Sequence, residues 1–188
     1  MLKVLRNIAI VVAVAVVATG CFKKVTTDTV LCIKVLSEEE SGGERVPAEG
    51  CYGYIYYANK DWAVASYDDA VAKTITNLKT GEKRSEPDGE SEPYMIDGAS
   101  NNYVSIFQGE PSALVVVIYP EAKMYAYMHR QTEAENLHYT YLTLIFHKWK
   151  TGEYSEGSKD GYKWMVVAPE TVDEPEVPST PPTNDENE

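Results

Sequence analysis

What this 188-residue chain has little of narrows its possible classes before any motif is considered. No apolar run approaches the roughly 20 residues a membrane-spanning helix needs. The longest, Ile8 to Ala18, has eleven, so a permanent span is excluded. Histidine and cysteine number three each, leaving few residues from which to build a metal centre or a nucleophile with its base. Basic residues are scarce: 17 Lys and Arg stand against 29 Asp and Glu, a formal net charge of −12. Phosphate backbones demand cationic stripes, so a nucleic-acid partner is excluded. No internal repeat is present, and no helical period is sustained along the chain.

The N-terminus is organised for export. Lys3 and Arg6 form a short positive end, Ile8–Ala18 an apolar stretch, and Ala18-Thr19-Gly20 a run of small residues. That order is a secretory signal. A buried helix of a cytosolic domain would carry polar spacing on one face, and this run has none. The following Ala18-Thr19-Gly20-Cys21 resembles the lipobox of bacterial lipoproteins. The resemblance implies cleavage before Cys21, a diacylglycerol on its thiol and an acylated (palmitate-type) amino terminus. One acyl chain holds a protein marginally and two hold it stably, so the expected mature form is anchored rather than spanning. Residues 1–20 are then a signal peptide and 21–27 a lipid-anchored linker. Losing Lys3 and Arg6 takes the charge from −12 to −14. Phe22 stands where inner-membrane lipoproteins typically have Asp, so the resemblance implies anchoring in the outer membrane.

Cys32 and Cys51 remain as a possible disulfide, an even pair in an exported chain. Alternation speaks against it, because Cys32 lies opposite to Leu31, Ile33 and Val35. Two buried free thiols are the alternative.

At the other end, Pro169–Glu188 carries seven acids, five prolines and no Lys or Arg, a composition unable to form a core. A disordered acidic tail is expected over 169–188. Between them, residues 28–168 read mostly with period two. Strands are expected at Thr29–Leu36, Cys51–Tyr57, Trp62–Ser66, Thr74–Leu78, Tyr103–Gln108, Ala113–Tyr119, Lys123–Arg130, His138–Lys150 and Tyr162–Ala168. "YDDAVAK" suits one or two helical turns, and Thr80–Pro93 is turn chemistry. Leu114–Ile118, apolar at every position, reads as a strand buried on both faces. The fold class expected is all-β: an antiparallel β-sandwich, Ig-like or transthyretin-like, of seven to eight strands.

The residues Ile33-x-Val35 … Val46-Pro47-Ala48-x-Gly50-x-Tyr52-x-Tyr54, followed by Thr74-Ile75-Thr76-Asn77-Leu78-Lys79-Thr80-Gly81, resemble the opening of transthyretin-like or carboxypeptidase-regulatory-like modules. The match covers about 50 residues. It departs where that family has Gly-Ala after the proline and Asp after the threonine. It implies a sandwich and a mostly non-catalytic role.

Candidate chemistry is thin. His129, His138 and His147 are the only histidines, and no Gly-x-Ser-x-Gly accompanies them. His129 and His138 could face each other at the base of a hairpin, with Glu133 or Glu135 above, but a His pair lacking a fixed third ligand is a weak metal site. The carboxylate clusters Asp68-Asp69, Glu38–Glu40 and Asp88/Glu90 fall in expected loops and read as solvated surface. No catalytic residue, metal or cofactor is assigned.

The stronger pattern is aromatic. Tyr125, Tyr127 and His129 share one face of their strand, and Tyr139, Tyr141, Thr143, His147 and Trp149 share one face of the next. If the two strands pair as a hairpin, Tyr125, Tyr127, Tyr139, Tyr141, His147 and Trp149 form a recognition face of rigid rings with polar tips. Packed cross-strand tyrosines of a sandwich exterior are the structural alternative. The expected function is a lipid-anchored envelope protein that binds, adheres or assembles, its partners being the membrane through the anchor and a glycan or protein. Alternatives are a subunit of a fimbrial or outer-membrane complex and a small envelope hydrolase.

Overall fold

The computed structural model describes residues 29–96, 99–106, 112–131, 139–157 and 162–171. The signal peptide, Cys21, most of the acidic tail, His138, Glu133 and Glu135 lie outside the described residues. Fourteen strands and one short helix run in chain order: β1 (Thr29–Glu38), β2 (Arg45–Pro47), β3 (Tyr52–Tyr56), β4 (Trp62–Ala63), α1 (Tyr67–Val71), β5 (Ile75–Asn77), β6 (Lys83–Arg84), β7 (Gly89–Glu90), β8 (Glu92–Ile96), β9 (Ala99–Ile106), β10 (Ser112–Tyr119), β11 (Met124–Gln131), β12 (Tyr139–His147), β13 (Gly152–Gly157) and β14 (Lys163–Ala168). The fold is all-β, as the alternation implies. The described strands exceed seven to eight because β6 and β7 arise within Thr80–Pro93, β8 begins at its end, and β2 and β13 arise where no strand is expected.

The first sheet has the order β12-β1-β9-β8, with β2 beside the end of β1. The second runs β13-β14-β11-β10-β3-β7, and a small third sheet is β4-β5-β6. Among the described residues all pairings are antiparallel except one. β12 lies parallel to β1, from Val30 opposite Tyr139 to Glu38 opposite His147.

This pairing corrects the hairpin expectation. β11 pairs with β10 and β14 in the second sheet, while β12 belongs to the first. The two aromatic rows therefore do not form one surface.

A single core joins the facing sides of the two large sheets. Leu31, Ile33 and Val35 of β1 and Leu142, Leu144 and Phe146 of β12 meet Val115 and Val117 of β10, Ala126 and Met128 of β11 and Trp164 of β14. Each fully buried aliphatic side chain contributes about 1.5–3 kcal/mol. The other side of the second sheet is buried too. Leu114, Val116 and Ile118 of β10 pack with Tyr54, Tyr56 and Tyr125 beneath the excursion formed by residues 58–90. Thus the uninterrupted apolar run of β10 serves two cores. Gly53 of β3 lets this layer close, since a Cβ there would stand 2.6 Å from the Val116 carbonyl oxygen.

Within the excursion, α1 starts at Ser66, whose hydroxyl accepts from the Asp69 N–H. Asp68 and Asp69 occupy its first turn, where the helix dipole favours negative charge.

Cys32 and Cys51 are both buried free thiols. Cys51 belongs to the core between the sheets, while Cys32 sits on the outer side of β1, so the disulfide does not form. Burial pushes both thiols above their ordinary pKa; for Cys51 the charge of Glu121 adds to it. With Cys21 replaced by Ser, Ellman's reagent should find no reactive thiol in the native protein and two per chain after unfolding in guanidinium. A bridged pair would give none in either state.

Candidate functional site

The three tyrosines beneath the excursion are struts. Tyr54 OH donates to the Ala70 carbonyl at 3.1 Å, Tyr56 OH to the Lys73 carbonyl at 2.6 Å and Tyr125 OH to the Val64 carbonyl at 3.4 Å. Each ring fills core space while its hydroxyl donates to a backbone carbonyl of the excursion and ties it to the sheet. Arg84 seals the rim, its guanidinium over the rings of Tyr56 (5.0 Å) and Trp62 (5.7 Å). Tyr125, named as a recognition residue from alternation, is therefore closed off, only 2% exposed.

His147 is also withdrawn from any surface. It ends β12, and its ring lies between two carboxylates: Nδ1 stands 2.9 Å from Oε2 of Glu38, and Nε2 stands 3.0 Å from Oε2 of Glu156. The Nδ1 contact is a charge contact, poorly angled for a hydrogen bond, and neither of its two atoms has a hydrogen-bond partner among the described residues. The His147 N–H donates to Tyr154 OH at 2.9 Å. Burial pushes the Glu38 carboxyl up, but the Gly42 N–H, the His147 ring and Arg45 outweigh it and hold it below its ordinary value. The cluster joins the ends of β1 and β12 to β13. Both ring nitrogens of His147 face a carboxylate, so the ring bridges the strands that carry Glu38 and Glu156. Among the described residues no three His, Cys, Asp or Glu side chains are arranged to hold a metal ion.

The remaining members of the aromatic set separate. Tyr141 is 69% exposed on the outer side of β12, and Trp149 is partly exposed in the turn after it, with the Lys150 ammonium 4.9 Å from its ring centroid. Tyr139 lies in β12, and its side chain is outside the described residues.

Tyr127 is the member that lines a concavity. The excursion covers the outer side of the second sheet over β3, β10 and the start of β11, then stops. Where it stops, a groove of about 380 Å³ opens along β11 and β14, at the small end of ligand-sized clefts. Lys60 and Leu78 line it from the excursion; Tyr127, His129, Lys163 and Met165 line it from the sheet, with Ser155 of β13 at its side. Alternation puts them there, since Tyr127 and His129 of β11 and Lys163 and Met165 of β14 share the outer face.

His129 is oriented by the Trp62 carbonyl, 2.7 Å from its Nε2. A carbonyl only accepts, so Nε2 carries the proton and Nδ1 is the ring's other hydrogen-bonding atom. Tyr127 is held between Tyr125, stacked at 6.5 Å, and His129, edge-on at 6.0 Å.

No protein family, curated protein or solved structure matches this chain. The reading of the site rests on its geometry.

Sequence reasoning picked out Tyr127 and missed its partners in the groove. Lys60, Leu78 and Lys163 are distant in sequence, and only the folding of the excursion onto the second sheet assembles them. The periodicity at 163–167 was the available signal, because it places Lys163 and Met165 on one side of a strand.

Proposed function

We propose that this chain is a lipid-anchored envelope protein of the bacterial outer membrane, built as a β-sandwich of its two large sheets, and that its work is recognition. The observation that carries the reading is the groove: a preformed concavity that combines a fixed ring, apolar side chains and polar ends. A non-catalytic role is supported by how the reactive residue types are used. Both ring nitrogens of His147 face carboxylates, one of His129 faces a carbonyl, and Cys32 and Cys51 are buried. The address comes from the signal and lipobox-like residues up to Cys21.

Anchoring is tested by fractionation. The native chain, expressed in a Gram-negative host, should sediment with outer membrane and incorporate a palmitate analogue. Cys21→Ser should lose the label and leave the membrane fraction. A Cys21→Ser chain that remained there would sink the lipid-anchor reading.

A further inference from the structure

We infer that the groove between the excursion and β11–β14 takes an anionic ligand: a carboxylate carried on a ring or another apolar body. The inference rests on the recognition reading and specifies its ligand class.

The first reason is charge. Acids outnumber bases by 29 to 17 in the chain, yet the groove lining includes Lys60, Lys163 and the chargeable His129 and, among the described residues, no carboxylate. A cationic cleft in an acidic protein concentrates anions at one place. The second reason is that these cations are uncommitted. Lys73, Lys79, Lys83, Arg84 and Lys148 each hold a carboxylate within 4 Å, whereas Lys60 and Lys163 have no ion-pair partner among the described residues. Acids on the same side of the sheet stay outside the lining: Asp61 and Asp69 of the excursion pair with Lys79 and Lys83. Glu153 of β13, two residues before Ser155, raises the phenol pKa of Tyr125 and Tyr127 through its charge but is not part of the lining.

The third reason is the apolar part. Leu78 is 68% exposed, the highest value for a large aliphatic side chain among the described residues, and it lines the groove together with Met165 and the Tyr127 ring. A ligand body lying between them would remove that apolar surface from water. Its carboxylate would meet a lysine ammonium on either side, the excursion's Lys60 or the sheet's Lys163. A wholly polar anion would leave Leu78 wet, and a neutral ring would leave both lysines unanswered.

The same chemistry could come from a uronic acid of a polysaccharide or from a free aryl acid, and the test separates them. Isothermal titration of the mature, lipidated chain in non-ionic detergent would use digalacturonate, its uncharged counterpart digalactose, and phenylacetate. Saturable binding of an acid, weakened by added salt, with none for digalactose, is the expected result. Digalacturonate alone would identify a saccharide source, and phenylacetate as well would show that a free acid suffices. Lys60→Glu and Lys163→Glu should each weaken binding about tenfold or more, since a like charge replaces an opposite one at close range. Lys163→Arg should retain binding, and Glu153→Gln should strengthen it. Both lysines are exposed, so thermal unfolding of the variants should match the parent. Equal binding of digalactose, or charge-reversed variants that bind as well as the parent, would overturn the anionic inference and leave recognition at the groove standing. No binding of any of the three would overturn it together with recognition at the groove, and the fractionation result would still decide the anchor separately.

Discussion

Trp164→Ala should cost about 3–5 kcal/mol of folding stability, the range for removing a large buried aromatic. Trp164 is completely buried in β14, within the core shared by both large sheets. The void would open where Trp164 meets that core, and strands held in two hydrogen-bonded ladders have little room to collapse into it. Trp164→Phe should cost clearly less. The indole N–H has no hydrogen-bond partner among the described residues, so Phe surrenders volume but no polar contact. Chemical denaturation reads the difference. An alanine variant within 1 kcal/mol of the parent would mean that β14 does not close this core.

The second large effect is an alkaline collapse. Among the described residues seven tyrosines have phenols raised above the ordinary value of 10: Tyr52, Tyr54, Tyr56, Tyr119, Tyr125, Tyr127 and Tyr154. Burial is the leading cause in each, and it pushes Tyr56, Tyr125 and Tyr154 to about 12. A phenol with a raised pKa in the fold keeps its proton more tightly there than in the unfolded chain. Its contribution is complete below pH 10 and is lost as pH climbs toward 12. Lys148 acts in the same direction. Burial lowers its pKa, but hydrogen bonds to Glu39 and Glu121 raise it further, so stability it adds below its ordinary 10.5 is also lost above it. Absorbance at 295 nm should therefore show two phases. The later phase is the buried set, which ionises above pH 10 together with loss of the circular dichroism of the fold. A single non-cooperative titration centred at 10 would contradict the strut arrangement. Glu38, with its lowered pKa, makes the opposite limb: its contribution is present above about pH 4.5 and is lost on acidification below that.

Much of the secondary structure was readable before the fold was seen, and the reason is local. Alternation states which way each side chain points. It separated Met124, Ala126 and Met128 from Tyr125, Tyr127 and His129 correctly, and Leu142, Leu144 and Phe146 likewise went to the core. It does not state which strand lies alongside. Nothing in Lys123–Arg130 or Tyr139–His147 distinguishes a hairpin from strands of two sheets, and the aromatic set is divided by that pairing and by the burial of Tyr125 and His147. The excursion was hard to see for another reason. Its strands have two or three residues and its helix five, too short for any period to emerge. The cover that buries Tyr54, Tyr56 and Tyr125 and ends at the groove was thus invisible, although every residue of it was on view. Burial of His147 had no signal either. Its partners Glu38 and Glu156 come from opposite ends of the domain.

The parallel union of β1 and β12 has a kinetic meaning. β1 is the first described strand, yet its two long neighbours are β9 and β12, and its register with β12 joins residues roughly a hundred positions apart. Long-range pairing of this type must meet its loop-closure cost before any contact rewards it. A ribosome that has released only the first hundred residues has produced a β1 with little more than the three-residue β2 to pair with. The first sheet can be completed only when β12 arrives, so the chain is expected to fold late and all at once, on the millisecond-to-second scale of non-local β proteins. Until then Leu31, Ile33 and Val35 lack the neighbouring Leu142, Leu144 and Phe146, and one edge of β1 has no strand to pair with.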